Sequence, residues 1–174
     1  MMLDDALALL PGLRRLRSLE ADMLRILLDR RRGECTWCGD AIPQGRRGWC
    51  GEACVTAFQS RCSPNHYRVM IQNRDHGVCQ LCGRDTDAAE VSWAKQPTSA
   101  WMRRSNETRA EQDARGIALA VQLRAVGYAR GRWREVDHIV PVSRRGGLCG
   151  LEGLRLLCGV CHDDETTKLK RGER

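Results

Sequence analysis

Apolar residues return at helical spacing in several stretches of the chain and at strand spacing in two short ones. After the break at Pro11-Gly12, the residues Leu13, Leu16, Leu19, Met23, Ile26 and Leu27 fall near one face with arginines opposite, which predicts a helix over residues 13 to 31. A short helix through Cys54, Val55, Phe58 and Gln59 runs up to Ser63-Pro64, and that pair opens a further helix over His66 to Asp75. Ile117, Leu119, Val121 and Leu123 sit in a helical pattern from about Glu107 to Val126 that stops at Gly127. Trp133 to Asp137 and Leu154 to Leu157 read as strands, and His162 to Leu169 as a closing helix. The expected class is α+β with a small sheet. No apolar run approaches the roughly 18 residues of a membrane span, so no membrane association is expected.

With 174 residues, 5% aromatics and a single Phe, the chain can bury only a modest core. Its ten cysteines change the picture. Asp4, Asp5, Glu20 and Asp22 interrupt every apolar run near the start, so a secretory leader is not expected and the thiols are read as metal ligands in a reducing cytoplasm. Cys79-x2-Cys82 and Cys158-x2-Cys161 form one four-thiolate set for structural zinc. Cys35-x2-Cys38 and Cys50-x3-Cys54, separated by a stretch with Pro43, Gly45 and Gly48, form a second. Cys62 and Cys149 fall outside both sets and are read as small buried or free thiols. His66 and His76 are not needed as ligands.

The net charge is +7 and lysine occurs only at Lys95, Lys168 and Lys170, so the positive surface is almost wholly arginine. The planar guanidinium fork suits phosphate oxygens and points to a polyanion, although charge alone leaves the partner open. Trp93 and Trp101 are expected to pack on the surface of the segment between Cys82 and Asp137 rather than stack on bases.

The two cysteine pairs of the first set bracket an Asp137-His138 dyad, and His162 follows the last cysteine directly. An aspartate and a histidine beside a closed zinc scaffold suit a harder divalent ion with open positions. Phosphodiester hydrolysis needs a proton acceptor, for which the imidazole of His138 is suited, and a Mg²⁺ or Mn²⁺ ion that Asp137 and His162 would hold. The runs EVDHIVPVSRRGG (Glu135 to Gly147) and LEGLRLLCGVCH (Leu151 to His162) resemble the ββα-metal core of HNH endonucleases of the four-cysteine zinc type. With CTWCG (Cys35 to Gly39), GRRGWCGEAC (Gly45 to Cys54) and RDHGVCQLCG (Arg74 to Gly83), the layout is similar to the HNH domain of the annealing-helicase zinc-finger Ran-binding proteins and their bacterial relatives. The resemblance implies the same roles for Asp137, His138 and His162. The sequence departs from the pattern at Gly153, where the family has its middle Asn, which hydrogen-bonds across the site and holds the loop of the base histidine. The family's lysine after CxxCH is also missing, and Glu165 nearby would add negative charge against DNA.

The expected organisation is an N-terminal helical segment (1–33), a four-cysteine zinc finger (34–63) and an HNH domain (64–174) with a helical insertion at about 84–132. The N-terminal helix is expected to serve core packing, or docking of a protein partner, rather than chemistry. Arg144 and Arg145, ahead of Gly146-Gly147, would lie in the loop between the strands and approach the DNA backbone. The expected function is a metal-dependent DNA endonuclease. The alternative is a non-catalytic zinc-bound DNA-binding or adaptor module whose site has degenerated at Gly153.

Overall fold

A computed structural model describes residues 1–96 and 106–173, so Trp101 lies outside the described residues. The chain forms two compact units. One comprises Met1–Arg74 and His138–Arg155, the other Asp75–Asp137 and Leu156–Arg174. The strands β1 (Arg134–His138) and β2 (Leu154–Cys158) pair in a two-stranded sheet, and the division between the units falls within each strand. The class is α+β, as expected.

In the first unit the N-terminal segment differs from the single helix expected over 13 to 31. It folds as α1 (Leu3–Leu9), a 3-10 turn (Pro11–Arg15) and α2 (Ala21–Leu27). Leu19 lies in the extended link before α2, where its N–H donates to the Cys62 carbonyl at 3.1 Å, a tertiary bond that displaces the local helical one. The break also rotates the apolar face. Leu24 and Leu28, one turn apart, are buried, whereas Met23 and Ile26 are 55% and 74% exposed. Helix α1 was missed, although Leu3, Ala6 and Leu7 show the i, i+3, i+4 spacing and all are buried. These side chains form one core with Cys62 and Leu148, flanked by Leu13, Leu19, Trp37 and Phe58. Each buried leucine contributes about 1.5–3 kcal/mol relative to exposure. Cys62 is therefore a core thiol, as expected, and its burial pushes its pKa up to about 12.

Helices α3 (Glu52–Cys62) and α4 (Pro64–Asp75) follow the sequence pattern closely. In the second unit, α5 (Thr86–Ala94) starts at Asp85, whose carboxylate accepts from Ala88 N–H at 2.8 Å. Arg134 on β1 ties to α5 through Asp87 at 2.8 Å and Glu90 at 2.6 Å. Helix α6 (Arg109–Ala125) begins at a capping box between Thr108 and Glu111 and ends before Gly127, close to the boundaries expected. Its apolar residues divide unevenly: Leu119 and Leu123 are half-buried, while Ile117 and Val121 are exposed. Trp93 packs against Trp133 with ring centroids 6.2 Å apart, the packing role expected of it. Helix α7 (Gly159–Lys170) starts inside the last CxxC motif. Among the described residues no helix is long and apolar enough to cross a membrane.

Candidate metal centres and nuclease site

Two knuckles of the same design carry the first cysteine pair of each set. In the first, Cys35 N–H donates to the Asp40 carbonyl at 2.7 Å and Gly39 N–H returns to the Cys35 carbonyl at 3.0 Å. In the second, Cys79 N–H donates to the Arg84 carbonyl at 2.8 Å and Gly83 N–H to the Cys79 carbonyl at 2.9 Å. Gly39 and Gly83 hold φ of +87° and +71°, left-handed angles that explain the glycine after each second cysteine. The second pair comes from a helix start in both units: Cys50 and Cys54 flank the entry to α3, and Cys158 caps α7 while accepting from Cys161 N–H at 3.4 Å.

The thiols of Cys35, Cys38, Cys50 and Cys54 lie within 4.8 Å of one another, and so do those of Cys79, Cys82, Cys158 and Cys161. The Cys38–Cys50 and Cys50–Cys54 separations are 3.5 Å and Cys82–Cys158 is 3.9 Å. These are far from a disulfide bond of about 2.05 Å. They match the roughly 3.8 Å edge of a tetrahedron with Zn–S of about 2.3 Å, so both sets fit zinc. Their protonation is divided in the same way. Burial would raise the Cys35 thiol, but backbone N–H donors from Cys38, Cys50 and Trp37 outweigh it and bring it down to about 6. Burial likewise opposes, and backbone donors from Cys158, Cys82 and Leu81 overcome, the Cys79 shift, which ends at about 7. Burial, reinforced by neighbouring thiols, holds Cys38, Cys54 and Cys161 above their ordinary value. Backbone donors thus favour the thiolate at Cys35 and Cys79, and a divalent cation would favour it at the neighbouring thiols that burial raises.

In the second unit, Asp137 lies near the end of β1 and His162 in the first turn of α7, one residue beyond the four-thiol set. Burial lowers the His162 pKa while Asp137 and Glu135 raise it, and the net shift is downward. That shift favours the neutral imidazole, the form that ligates a metal, against the opposing charge of the Asp137 carboxylate. Asp75, which is buried, receives Leu156 N–H at 2.9 Å and so fixes β2 just before Cys158. Glu165 does not face outward as a bare charge. It is nearly buried, and Lys168 donates to it at 2.8 Å.

In the first unit, the His138 ring stands edge-on to the buried Tyr67, with centroids 6.3 Å apart and planes at 86°. The residue after His138 is held by main chain: Ile139 N–H donates to the Gly153 carbonyl at 2.9 Å. Arg74 secures the turn Leu151–Gly153 by donating to the carbonyls of Leu151 at 2.6 Å and Leu154 at 2.9 Å. Gly153 has no left-handed φ, but a Cβ there would stand 2.7 Å from both Cβ and Sγ of Cys149. Tyr67, Arg74 and Asp75 were not singled out as site residues in the sequence. Their only signal was position, in the helix that leads into the Cys79 knuckle. Arg144 and Arg145 are exposed on the 3-10 turn Val142–Arg144 and at its end.

Residues 129–168 match the HNH endonuclease family, and the chain thus carries an HNH-family segment. It is also similar to the DNA annealing helicase and endonuclease ZRANB3, being 30% identical to the mouse protein over 120 residues and 32% identical to the cattle protein over 126 residues. Each match covers 69% of this chain and 11% of the relative, so the chain spans about a tenth of the length of these proteins. Among solved structures, the human ZRANB3 HNH domain matches 60% of this chain and 86% of its own at 27% identity, with a TM-score of 0.38.

Proposed function

We propose that this chain is a metal-dependent endonuclease that hydrolyses phosphodiester bonds in DNA. The observation that supports the reading is the pairing of Asp137 with His162 in the unit that holds the four-thiol set beginning at Cys79. Asp137 acts electrostatically on His162 within one unit, His162 directly follows the last cysteine of a four-thiol cage, and His138 follows Asp137 in the chain. Zinc in the Cys79, Cys82, Cys158 and Cys161 cage would tie the end of β2 to the start of α7, the helix that carries His162. Asp137 and His162 would hold one Mg²⁺ or Mn²⁺, and the ion would supply positive charge against the scissile phosphate and the leaving 3′ oxygen. His138 takes the proton of the attacking water, its ring steadied by Tyr67. Arg144 and Arg145 contact the DNA backbone. DNA as substrate is supported by the name of the related proteins and by the net charge of +7.

Gly153 supports a second reading, a zinc-bound DNA-binding module without turnover, because the family's asparagine is missing there and Cys149 occupies the adjoining space. Against it, backbone bonding from Ile139 to Gly153 and the Arg74 contacts hold the same loop without an asparagine. The deciding experiment is plasmid nicking with Mg²⁺ or Mn²⁺ beside His138→Ala. Cutting by wild type that is lost in the variant, with DNA binding kept, supports the enzyme. Binding without cutting supports the module.

A further inference from the structure

The Gly146-Gly147 pair in the loop after His138 invites reading as a place for DNA to come close, but the chain itself fills the space. A Cβ at Gly146 would fall 1.8 Å from the Val140 carbonyl oxygen, and one at Gly147 would fall 1.9 Å from that of Leu16. The N–H of Gly147 donates to the Arg14 carbonyl at 2.7 Å, and the 3-10 turns Pro11–Arg15 and Val142–Arg144 pack against each other. The N-terminal segment is thereby fastened to the loop that follows the proposed catalytic histidine. The turn that carries Arg14 and Arg15 thus packs on the turn that carries Arg144, with Arg17 two residues beyond the first and Arg145 at the end of the second.

These arginines differ from those elsewhere. Arg109, Arg124 and Arg134 are engaged by Asp113, Asp163 and Glu90 at 3.2, 3.1 and 2.6 Å. Among the described residues no carboxylate forms an ion pair with Arg15, Arg17, Arg144 or Arg145, and all four are exposed. Asp4, whose carboxylate feels the charge of Arg14, is occupied by Arg61 in a two-pronged pair at 2.6 and 2.9 Å. Arg145 also keeps a left-handed φ of 66°, a conformation that costs a non-glycine residue about 1–2 kcal/mol.

We propose that Arg14, Arg15 and Arg17 join Arg144 and Arg145 in one basic edge that grips the sugar-phosphate backbone of the DNA strand entering the site. This rests on the nuclease reading and adds to it a substrate-binding role for the N-terminal segment. Unpaired guanidinium groups on two mutually fastened turns provide several forks for consecutive phosphates without breaking any internal ion pair. The contact is to backbone and is sequence-independent.

The test is a salt series of fluorescence-anisotropy titrations with a labelled duplex and the matching single strand, on zinc-loaded full chain carrying His138→Ala so that the probe stays intact. Each phosphate contact contributes about 0.9 to the slope of log K against log salt on duplex and about 0.7 on single strand. Arg15→Gln/Arg17→Gln lowers the duplex slope by about one to two, with zinc content and circular dichroism unchanged. The charge-matched control Arg109→Gln/Arg124→Gln lowers it by less than half as much. Equal effects of the two doubles would reduce the edge to net charge and overturn it, as would no effect of the first or no binding by the parent. Plasmid nicking separates the two levels. Nicking undiminished by Arg15→Gln/Arg17→Gln in the otherwise wild-type chain removes the edge and leaves the nuclease. Edge-dependent binding with no nicking in wild type removes the nuclease and keeps the edge.

Discussion

Restoring the family asparagine at position 153 is expected to harm this protein unless Cys149 is changed with it. The backbone is no obstacle, since Gly153 lies outside the left-handed region. The obstacle is side-chain volume. The new Cβ would sit 2.7 Å from both Cβ and Sγ of Cys149, far inside the ordinary carbon contact of about 3.5–4.0 Å. The thiol can rotate away but Cys149 Cβ cannot, so the turn Leu151–Gly153 must shift, and with it the Gly153 carbonyl that receives Ile139 N–H. Overpacking of this kind costs about 1–3 kcal/mol. For a chain of this length about 2 kcal/mol lowers Tm by about 4–8 °C. Cys149→Gly removes both offending atoms. The assay is a double-mutant cycle in urea, with Gly153→Asn, Cys149→Gly and the combined variant compared for stability and nicking. The combined variant should be more stable than the sum of the single changes by at least about 1 kcal/mol, and Gly153→Asn alone should not raise nicking. Additive single changes, or a Gly153→Asn variant as stable as wild type, would refute the steric argument.

Elemental analysis of protein purified without chelator should give two zinc ions per chain, and chelation should abolish cooperative unfolding; one zinc or none contradicts the cages. Leu148→Ala should cost about 2–5 kcal/mol, because Leu148 is 1% exposed in the core shared with α1 and α2. Deleting residues 1–31 should unfold that same core rather than spare the chemistry, and a folded truncation by circular dichroism would contradict it. The Cys62 thiol is raised to about 12 by burial, so the folded state holds its proton more tightly than the unfolded state. Its contribution is complete below the ordinary value of about 9 and is lost as pH rises from there towards 12, at up to about 1.4 kcal/mol per pH unit. Cys62→Ala should flatten that alkaline loss in urea titrations, and an unchanged slope would reject the assignment.

The two cysteine sets and most helix boundaries were legible because each is written in short-range spacing: CxxC with a following glycine, and the capping residues of α6. What stayed hidden depends on pairs far apart in sequence. The N-terminal pattern suggested one helix because its periodicity survives the link at Leu16 to Glu20, yet Leu19 N–H is claimed by Cys62, 43 positions away. Gly146 and Gly147 looked like a turn, and nothing local announces that Leu16 and Val140 press against them. Tyr67 against the His138 ring and Arg74 on the Leu151–Gly153 turn likewise reach these residues from a helix whose own sequence gives no sign of it.

The nuclease claim is tested most directly by supercoiled-plasmid nicking with zinc-loaded protein in Mg²⁺ and in Mn²⁺, wild type beside His138→Ala, with DNA binding by both proteins measured in parallel. Hydrolysis at a His138 base predicts nicked product from wild type, a rate at least about a hundredfold lower in His138→Ala, and equal binding by the two. Wild type that binds DNA but leaves duplex, single-stranded and branched substrates uncut with either metal would contradict it.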